Sequence, residues 1–268
     1  MTTQLGVAYS ADADAAGAIG QVIASLPVSL RPASDSADLV GIAGSAGWTT
    51  AAIAAITGGA RGIVIVDPVD EDAAALCEHA ERAGVPVVID RTWTYNPAVE
   101  RSAEAFRAED DVEALLEVRT DVPIGSDLDR VLLGQLALTR AVASAVTGLS
   151  IIRWNDHGFD ALATLATGAR ASLTAIVTAG LPHAAHVRSL KSTTAVELAL
   201  PAPATAAPGK AVVSGPDGAT LLVTAYETAH RAAWRHLHEL VVAGGTSGDL
   251  LTMAEDAAVA RAARRPAG

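Results

Sequence analysis

From the start to about Phe106 the chain alternates short runs of Val, Ile and Leu with alanine-rich stretches of helical period. Leu5 to Ser10 predicts a strand, Asp14 to Leu26 a helix, Val28 to Arg31 a strand, and Leu39 to Ala43 a buried strand after Asp38. Thr49 to Ile56 reads as a helix stopped by Thr57, Gly58 and Gly59. Gly62 to Val66 (GIVIV) is an unbroken apolar run, as expected of a strand covered on both faces. Asp70 can cap the next helix, with Glu71 and Asp72 in its first turn. Its apolar stripe is Ala73, Leu76, Cys77 and Ala80, opposed by Glu78, Glu81 and Arg82, and Gly84 ends it. Val85 to Ile89 is then a strand. Repeated βα units of this length predict a parallel sheet with right-handed crossovers and helices on both faces.

Beyond Phe106 the rhythm changes. Val112 to Arg119 predicts a strand, and Asp127 to Val146 a long buried helix, apolar nearly all round at Leu128, Val131, Leu132, Leu136 and Leu138. Strands then follow in series: Ser150 to Trp154, Ala161 to Ala166, Ala171 to Val177, Ala184 to Leu190 and Thr194 to Leu200. Without intervening helices they indicate an antiparallel sheet. Pro201 to Pro208 is a stiff connector, because strand pattern resumes at Val212 to Val213 and Ala219 to Thr224. Two helices close the chain, Thr228 to Val242 and Ser247 to Arg264, with the turn Gly244, Gly245 and Thr246 between them.

Composition narrows the function classes. The 268 residues carry 19 basic and 30 acidic side chains, a net charge of −11, and only two lysines, Lys191 and Lys210. No basic cluster interleaved with aromatics is present, so no nucleic-acid partner is expected, and no apolar run is long enough to span a bilayer. Met1 to Val7 lacks a signal-peptide pattern and the single Cys77 cannot form an internal disulfide, so a cytoplasmic protein is expected. His183 and His186 are spaced as HxxH, and His236 and His238 as HxH, but neither set has a third ligand or acidic companion, so no metal is expected. No Gly-x-Ser-x-Gly elbow or P-loop occurs.

Five stretches in one order carry a resemblance. These are Ala37 to Gly44 (ADLVGIAG), the run GIVIVDPVDEDAAALCEHAERAGVPVVID, Tyr95 to Val99 (YNPAV), Gly168 to Leu173 (GARASL) and GGTSGDLLTMAEDAAVARAA. The chain resembles the glucose-fructose oxidoreductase, inositol dehydrogenase and MocA family of NAD(P)-dependent sugar oxidoreductases. The resemblance implies an α/β fold: a Rossmann-like parallel sheet domain over 1–98, followed over 99–268 by an α+β domain with a mostly antiparallel sheet. The closing helices can pack back on the first domain. It implies NAD(P), a sugar, polyol or related carbonyl compound as small-molecule ligand, and a homodimer or a partner subunit.

Departures from the family pattern fall at the site. After the first strand come Tyr9, Ser10, Ala11 and Asp12 in place of a Gly-x-Gly-x-x-Gly turn, with Asp14 close behind, where phosphates would approach backbone at a helix N-terminus. Between Arg31 and Ala37 there is no room for a further helix and strand, so the sheet is expected to be trimmed. The family's catalytic Glu-Lys-Pro aligns with Val66, Asp67 and Pro68, an aspartate replacing the lysine. Its His-x-x-Asp motif has two matches. Ser126 to Asp129 heads the long helix and is favoured, with Ser126 at the histidine position; His157 to Asp160 keeps the motif literally but precedes a strand.

The candidate catalytic residues are therefore Asp67, Ser126, Asp129 and His157, and the candidate cofactor contacts Ser10, Gly44, Ser45, Trp48, Pro68, Tyr95 and Asn96. Each has a plainer alternative. Asp67 reads equally as a turn residue before proline, and the loop Gly41 to Trp48 as a tight turn. His157 reads as a surface residue and the polar stretch Thr224 to Leu240 as a solvated face, although His230, Arg231 and Trp234 lie close together on it and could meet a sugar. Trp48, Trp93 and Tyr95 cluster at strand ends, where sugars are stacked, yet each alone reads as core. Two functions compete: a divergent NAD(P)-linked oxidoreductase, and a non-catalytic relative that binds a small ligand or serves an active paralogue.

Overall fold

The computed structural model describes residues 4–33 and 36–264. In chain order they form β1 (Leu5–Tyr9), α1 (Ala11–Gly17), α2 (Ile19–Ser25), β2 (Leu30–Pro32), β3 (Leu39–Ala43), α3 (Trp48–Thr57), β4 (Gly62–Val66), α4 (Ala74–Ala83), β5 (Val87–Asp90) and α5 (Pro97–Glu109). These are followed by β6 (Leu115–Val122), α6 (Leu128–Val142), β7 (Val146–Asn155), β8 (Gly158–Leu165), β9 (Arg170–Val177), β10 (Ala184–Leu190), β11 (Ala195–Leu200), β12 (Lys210–Gly215), β13 (Gly218–Leu221), α7 (Ala229–Ala243) and α8 (Asp249–Arg264). The chain divides into two compact units. The first takes the described residues up to Thr92 together with Ala229–Ala254; the second takes Trp93–Thr228 and the described residues from Glu255 on.

The first unit is built on a five-stranded sheet of order β2-β1-β3-β4-β5, parallel throughout. The GIVIV strand is buried at all five positions, as its unbroken apolar run predicts. One core cluster joins Ile63 and Ile65 to Trp48, Ala52 and Ile56 of α3, Leu76 and Ala80 of α4, and Leu250 and Met253 of α8. Gly41 of β3 has no side chain because other side chains fill that place: a Cβ would stand 2.6 Å from Ile19 Cδ1 and 3.1 Å from the Trp234 ring. The chain passes from β2 to β3 with no helix between them among the described residues.

Two details of this unit differ from the sequence expectation. The single helix expected over Asp14 to Leu26 is two short ones, broken at Ala18, which takes a left-handed φ of 49°. The Asp14 carboxylate holds the break by accepting from Gly20 N–H at 2.7 Å. The helix expected from Asp70 starts only at Ala74, whose N–H donates to Asp72 Oδ1 at 3.0 Å.

The second unit is an eight-stranded sheet of order β13-β12-β11-β10-β6-β9-β8-β7. It is antiparallel except where β6 runs parallel to β9, a long-range pairing that strand order in sequence cannot reveal. Alternation turns Val118, Leu173, Val187 and Leu198 toward Phe106 of α5 and Leu132 and Leu136 of α6. The opposite face is polar, with Arg188 bridging Glu117 at 3.3 Å and Glu197 at 3.2 Å across strands. In α6, buried Gln135 donates to Thr120 Oγ1 at 2.9 Å and to the Thr174 carbonyl at 2.8 Å, fixing the helix on the β6–β9 pair. No helix among the described residues is long and apolar enough to cross a membrane.

Candidate functional site

A parallel sheet delivers all its carboxyl ends to one edge, so the residues after β1, β3, β4 and β5 share the place where such folds bind ligands. Asp67 follows β4, and Asp90 ends β5 in register with Val66. Asp67 N–H donates to the Asp90 carbonyl at 3.0 Å. Just past these neighbouring strands the backbone turns left-handed at two non-glycine residues, Asp67 (φ 44°) and Thr92 (φ 37°). Each such residue costs roughly 1–3 kcal/mol, and strain of this kind collects at functional sites.

The turn after β4 is clamped from β3. Gly44 N–H donates to the Val66 carbonyl and Val69 N–H to the Gly44 carbonyl, both at 2.8 Å. A Cβ on Gly44 would stand 2.2 Å from Pro68 Cα, so glycine is required here by contact between two backbones. From β5, buried Arg91 donates from Nη2 to the Pro68 carbonyl at 3.2 Å.

Across this edge lies a pair that strand and loop patterns do not announce. His230, in the first turn of α7, meets Asp90 with 2.6 Å between Nδ1 and Oδ2, and the two residues are only 5% and 1% exposed. The other Asp90 oxygen, Oδ1, is buried and accepts no hydrogen bond. Burial works against an imidazolium, but the charge and hydrogen bond of Asp90, with the charge of Asp67, outweigh it and lift the His230 pKa above the ordinary histidine value. His230 therefore meets Asp90 and feels the charge of Asp67 at the ends of adjacent strands, and it holds its proton more tightly than an ordinary histidine does.

The helix N-termini along the same edge are occupied by the chain's own oxygens. Ser10 caps α1, its Oγ accepting from Ala13 N–H at 3.2 Å, and Asp12 and Asp14 stand in that helix's first turn. Glu71 takes the N-terminus of α3, accepting from Gly47 N–H and, at 3.0 Å, from Thr49 Oγ1. A dinucleotide pyrophosphate needs free amides and a positive end. At α1 the Ser10 hydroxyl takes one amide while Asp14 turns to Gly20 N–H, and at α3 the Glu71 carboxylate takes the Gly47 amide.

The remaining expected site residues have other places. Ser45 is exposed, its carbonyl accepting from Trp48 N–H. Trp48 is core, 1% exposed, with Nε1 donating to the Val69 carbonyl at 3.1 Å. Tyr95 and Asn96 belong to the second unit, where buried Asn96 caps α5 through Ala98 N–H at 3.0 Å. Trp93 is also core there, edge-on to His183 at 4.9 Å. Tyr95 alone of the three aromatics singled out is half-buried and not in a core cluster.

In the second unit Asp127 caps α6, Ser126 Oγ donates to the Pro123 carbonyl at 2.8 Å, and Asp129 pairs with Arg264 at 3.1 Å. His157 is exposed on the β7–β8 hairpin, and Asp160 is engaged by Arg153 at 2.6 Å, not by the histidine. The solvated-face reading of α7 does not hold at His230 or Trp234, since both are buried. Asp67, Gly44 and Pro68 do come together. Asp90 was missed, although an acid closes the apolar run VVID, and His230 was named only within a cluster that could meet a sugar, not as a partner of Asp90.

No protein-family model matches the chain, and no curated protein matches its sequence. Solved structures match it in fold. KijD10, a 3-ketoreductase from Actinomadura kijaniata in complex with TDP-benzene and NADP, superposes with a TM-score of 0.72 at 14% identity, over 97% of this chain and 97% of that one. UDP-N-acetylglucosamine 3-dehydrogenase GnnA from Acidithiobacillus ferrooxidans gives 0.69 at 15% identity, over 98% and 97%. The chain thus has the two-sheet fold found in these sugar-modifying oxidoreductases.

Proposed function

We propose that the chain is a divergent, sugar-directed relative of the oxidoreductases whose fold it has. It takes a sugar, polyol or related carbonyl compound at the carboxyl ends of β3, β4 and β5 and has lost the ordinary dinucleotide grip. The observation that carries this reading is the state of the α1 and α3 N-termini, where Ser10 Oγ takes the Ala13 amide, with Asp12 and Asp14 in the same first turn, and Glu71 takes the Gly47 amide and the Thr49 hydroxyl. Asp67 in place of the lysine that the family resemblance specifies points the same way: a carboxylate cannot stabilise a developing alkoxide as an ammonium does. Fold alone does not restore an activity whose groups are gone.

A second reading, an NAD(P)-linked oxidoreductase with an altered grip, is favoured by the near full-length likeness to enzymes solved with NADP. Thermal unfolding separates the two. The first reading expects no rise in Tm with NADH or NADPH at about millimolar concentration, and a rise with at least one neutral sugar or polyol. A rise with either nucleotide decides for the second reading. No rise with any sugar or polyol overturns the ligand assignment.

A further inference from the structure

The turn between β12 and β13 carries a chemically reactive step. Asp217–Gly218 is the one Asp–Gly in the chain, and no Asn–Gly occurs. The backbone nitrogen that follows an aspartate can attack its Cγ and close a five-membered ring. A Cβ on the following residue crowds that attack, and glycine has none. Other aspartates lack one condition or another. Asp67 precedes a proline, which has no N–H, and Asp90 is buried. Asp156 is exposed in the β7–β8 turn, but His157 follows it.

The fold leaves the 217–218 step open. Pro216 and Asp217 make the two-residue turn of a hairpin that pairs Gly215 with Gly218, and residues 215–221 are all exposed. Gly218 has a φ of 126°, and a Cβ built on it would meet no atom within 4 Å, so the space beside the step is clear. Among the described residues no hydrogen bond or ion pair engages the Asp217 carboxylate. Asp38 and Asp160, by contrast, are held by Arg61 at 3.2 Å and Arg153 at 2.6 Å. β13 ends its sheet with β12 as sole neighbour, so this turn can change shape without moving the core.

We propose that Asp217–Gly218 is a site of spontaneous backbone isomerisation, and that the isoaspartate formed makes this turn a substrate for an isoaspartyl carboxyl methyltransferase using S-adenosylmethionine. The Gly218 nitrogen bonds to Asp217 Cγ; its proton and the hydroxyl of the protonated carboxyl leave as water, giving a succinimide. Water then adds to one ring carbonyl. Opening the bond from nitrogen to Cγ restores aspartate. Opening the bond from nitrogen to the main-chain carbonyl carbon leaves the backbone running through Cβ, with a free α-carboxylate. No electrons are exchanged, and the mass returns to its starting value. The methyltransferase moves the sulfonium methyl group to that carboxylate and releases S-adenosylhomocysteine. One extra backbone atom in a two-residue turn breaks the Gly215–Gly218 register and frees β13 from β12.

The test incubates the whole folded chain at neutral pH in heavy-oxygen water, for a time in which a synthetic peptide of residues 209–223 converts. Peptide mapping with electron-transfer fragmentation is expected to find isoaspartate at position 217 carrying one heavy oxygen. The methyltransferase with labelled S-adenosylmethionine is expected to mark the same residue, and Asp156 to stay unconverted. D217E, whose ring would need six members, is expected to lose the product while its circular dichroism and Tm match the parent's. In the converted chain the β13 amides are expected to lose their protection from hydrogen exchange while those of β11 keep theirs. An unconverted Asp217 in the folded chain overturns the proposal, as does equal conversion at Asp156 or methyl transfer that persists in D217E. Unchanged protection of β13 after conversion overturns the release of the strand.

Discussion

Among the described residues, each unit holds an ion pair with a buried carboxylate that joins residues more than a hundred positions apart, and the two pairs are chemically unlike. In the second unit Arg140 of α6 holds Asp256 of α8 through Nε at 3.1 Å and Nη2 at 2.6 Å, and reaches Glu255 at 3.0 Å. In the first unit His230 of α7 holds Asp90 of β5 at 2.6 Å. Burial opposes the cation in both, and the partner carboxylates win in both. The guanidinium stays charged at any ordinary pH, whereas the imidazolium can be discharged. Arg140 lies beside Thr139, whose Oγ1 donates to the Gln135 carbonyl, on a helix that Gln135 Nε2 ties to Thr120 and Thr174 of its own unit, the mark of a joint. His230 lies beside a strained turn and a strand-end edge, the mark of a site.

The sharpest way to break this contrast is R140M. It removes a two-pronged hydrogen bond from a carboxylate that is 4% exposed, and should cost about 3–5 kcal/mol in urea unfolding. The loss should be the same at about pH 6 and about pH 9, because arginine does not titrate there. A strongly pH-dependent loss would mean that the second pair is not the permanent one.

H230Q should cost less, about 1–3 kcal/mol at about pH 6. A folded pKa raised above the unfolded value of about 6.5 means stability fully present below that value and lost as pH rises through the folded one. The gap in unfolding free energy between parent and H230Q should therefore narrow toward alkaline pH. A gap that widens would put the proton elsewhere.

S10A is the smallest test and the control within the first unit. It deletes one cap bond and should cost about 1 kcal/mol. The size should not vary between about pH 6 and about pH 9, since the serine hydroxyl does not titrate in that range. A pH-dependent cost would show that Asp12 and Asp14 are coupled to the cap.

Much of the architecture was legible because burial writes itself into sequence. β3 and β4 fall on Leu39–Ala43 and Gly62–Val66 as the apolar runs predict, and β10 on Ala184–Leu190, since a strand covered by helices must be apolar where it is covered. Less legible was the division of labour among polar residues. Asp70, Glu71 and Asp72 look alike before an alanine-rich helix, yet Glu71 reaches the N-terminus of α3 while Asp72 accepts from Ala74 N–H just ahead of it. Trp48 and Trp93 look like ligand platforms at strand ends and are core, 1% and 3% exposed, each with its indole N–H bonded to a backbone carbonyl.

By itself the sequence determined the two kinds of sheet, the Ser10 and Asp12 that follow the first strand and the Asp67 that follows the GIVIV strand, all of which are local: they depend on side-chain period and on neighbours a few residues away. Only the tertiary structure decided that Asp67, Asp90 and His230 form one cluster. The first two are brought together by the register of adjacent strands, and the third by a helix that begins 139 residues after Asp90. No local pattern encodes a contact of that range. It exists because α7 buries its apolar stripe against β4 and β5, and that packing carries a histidine to the carboxylates at their ends.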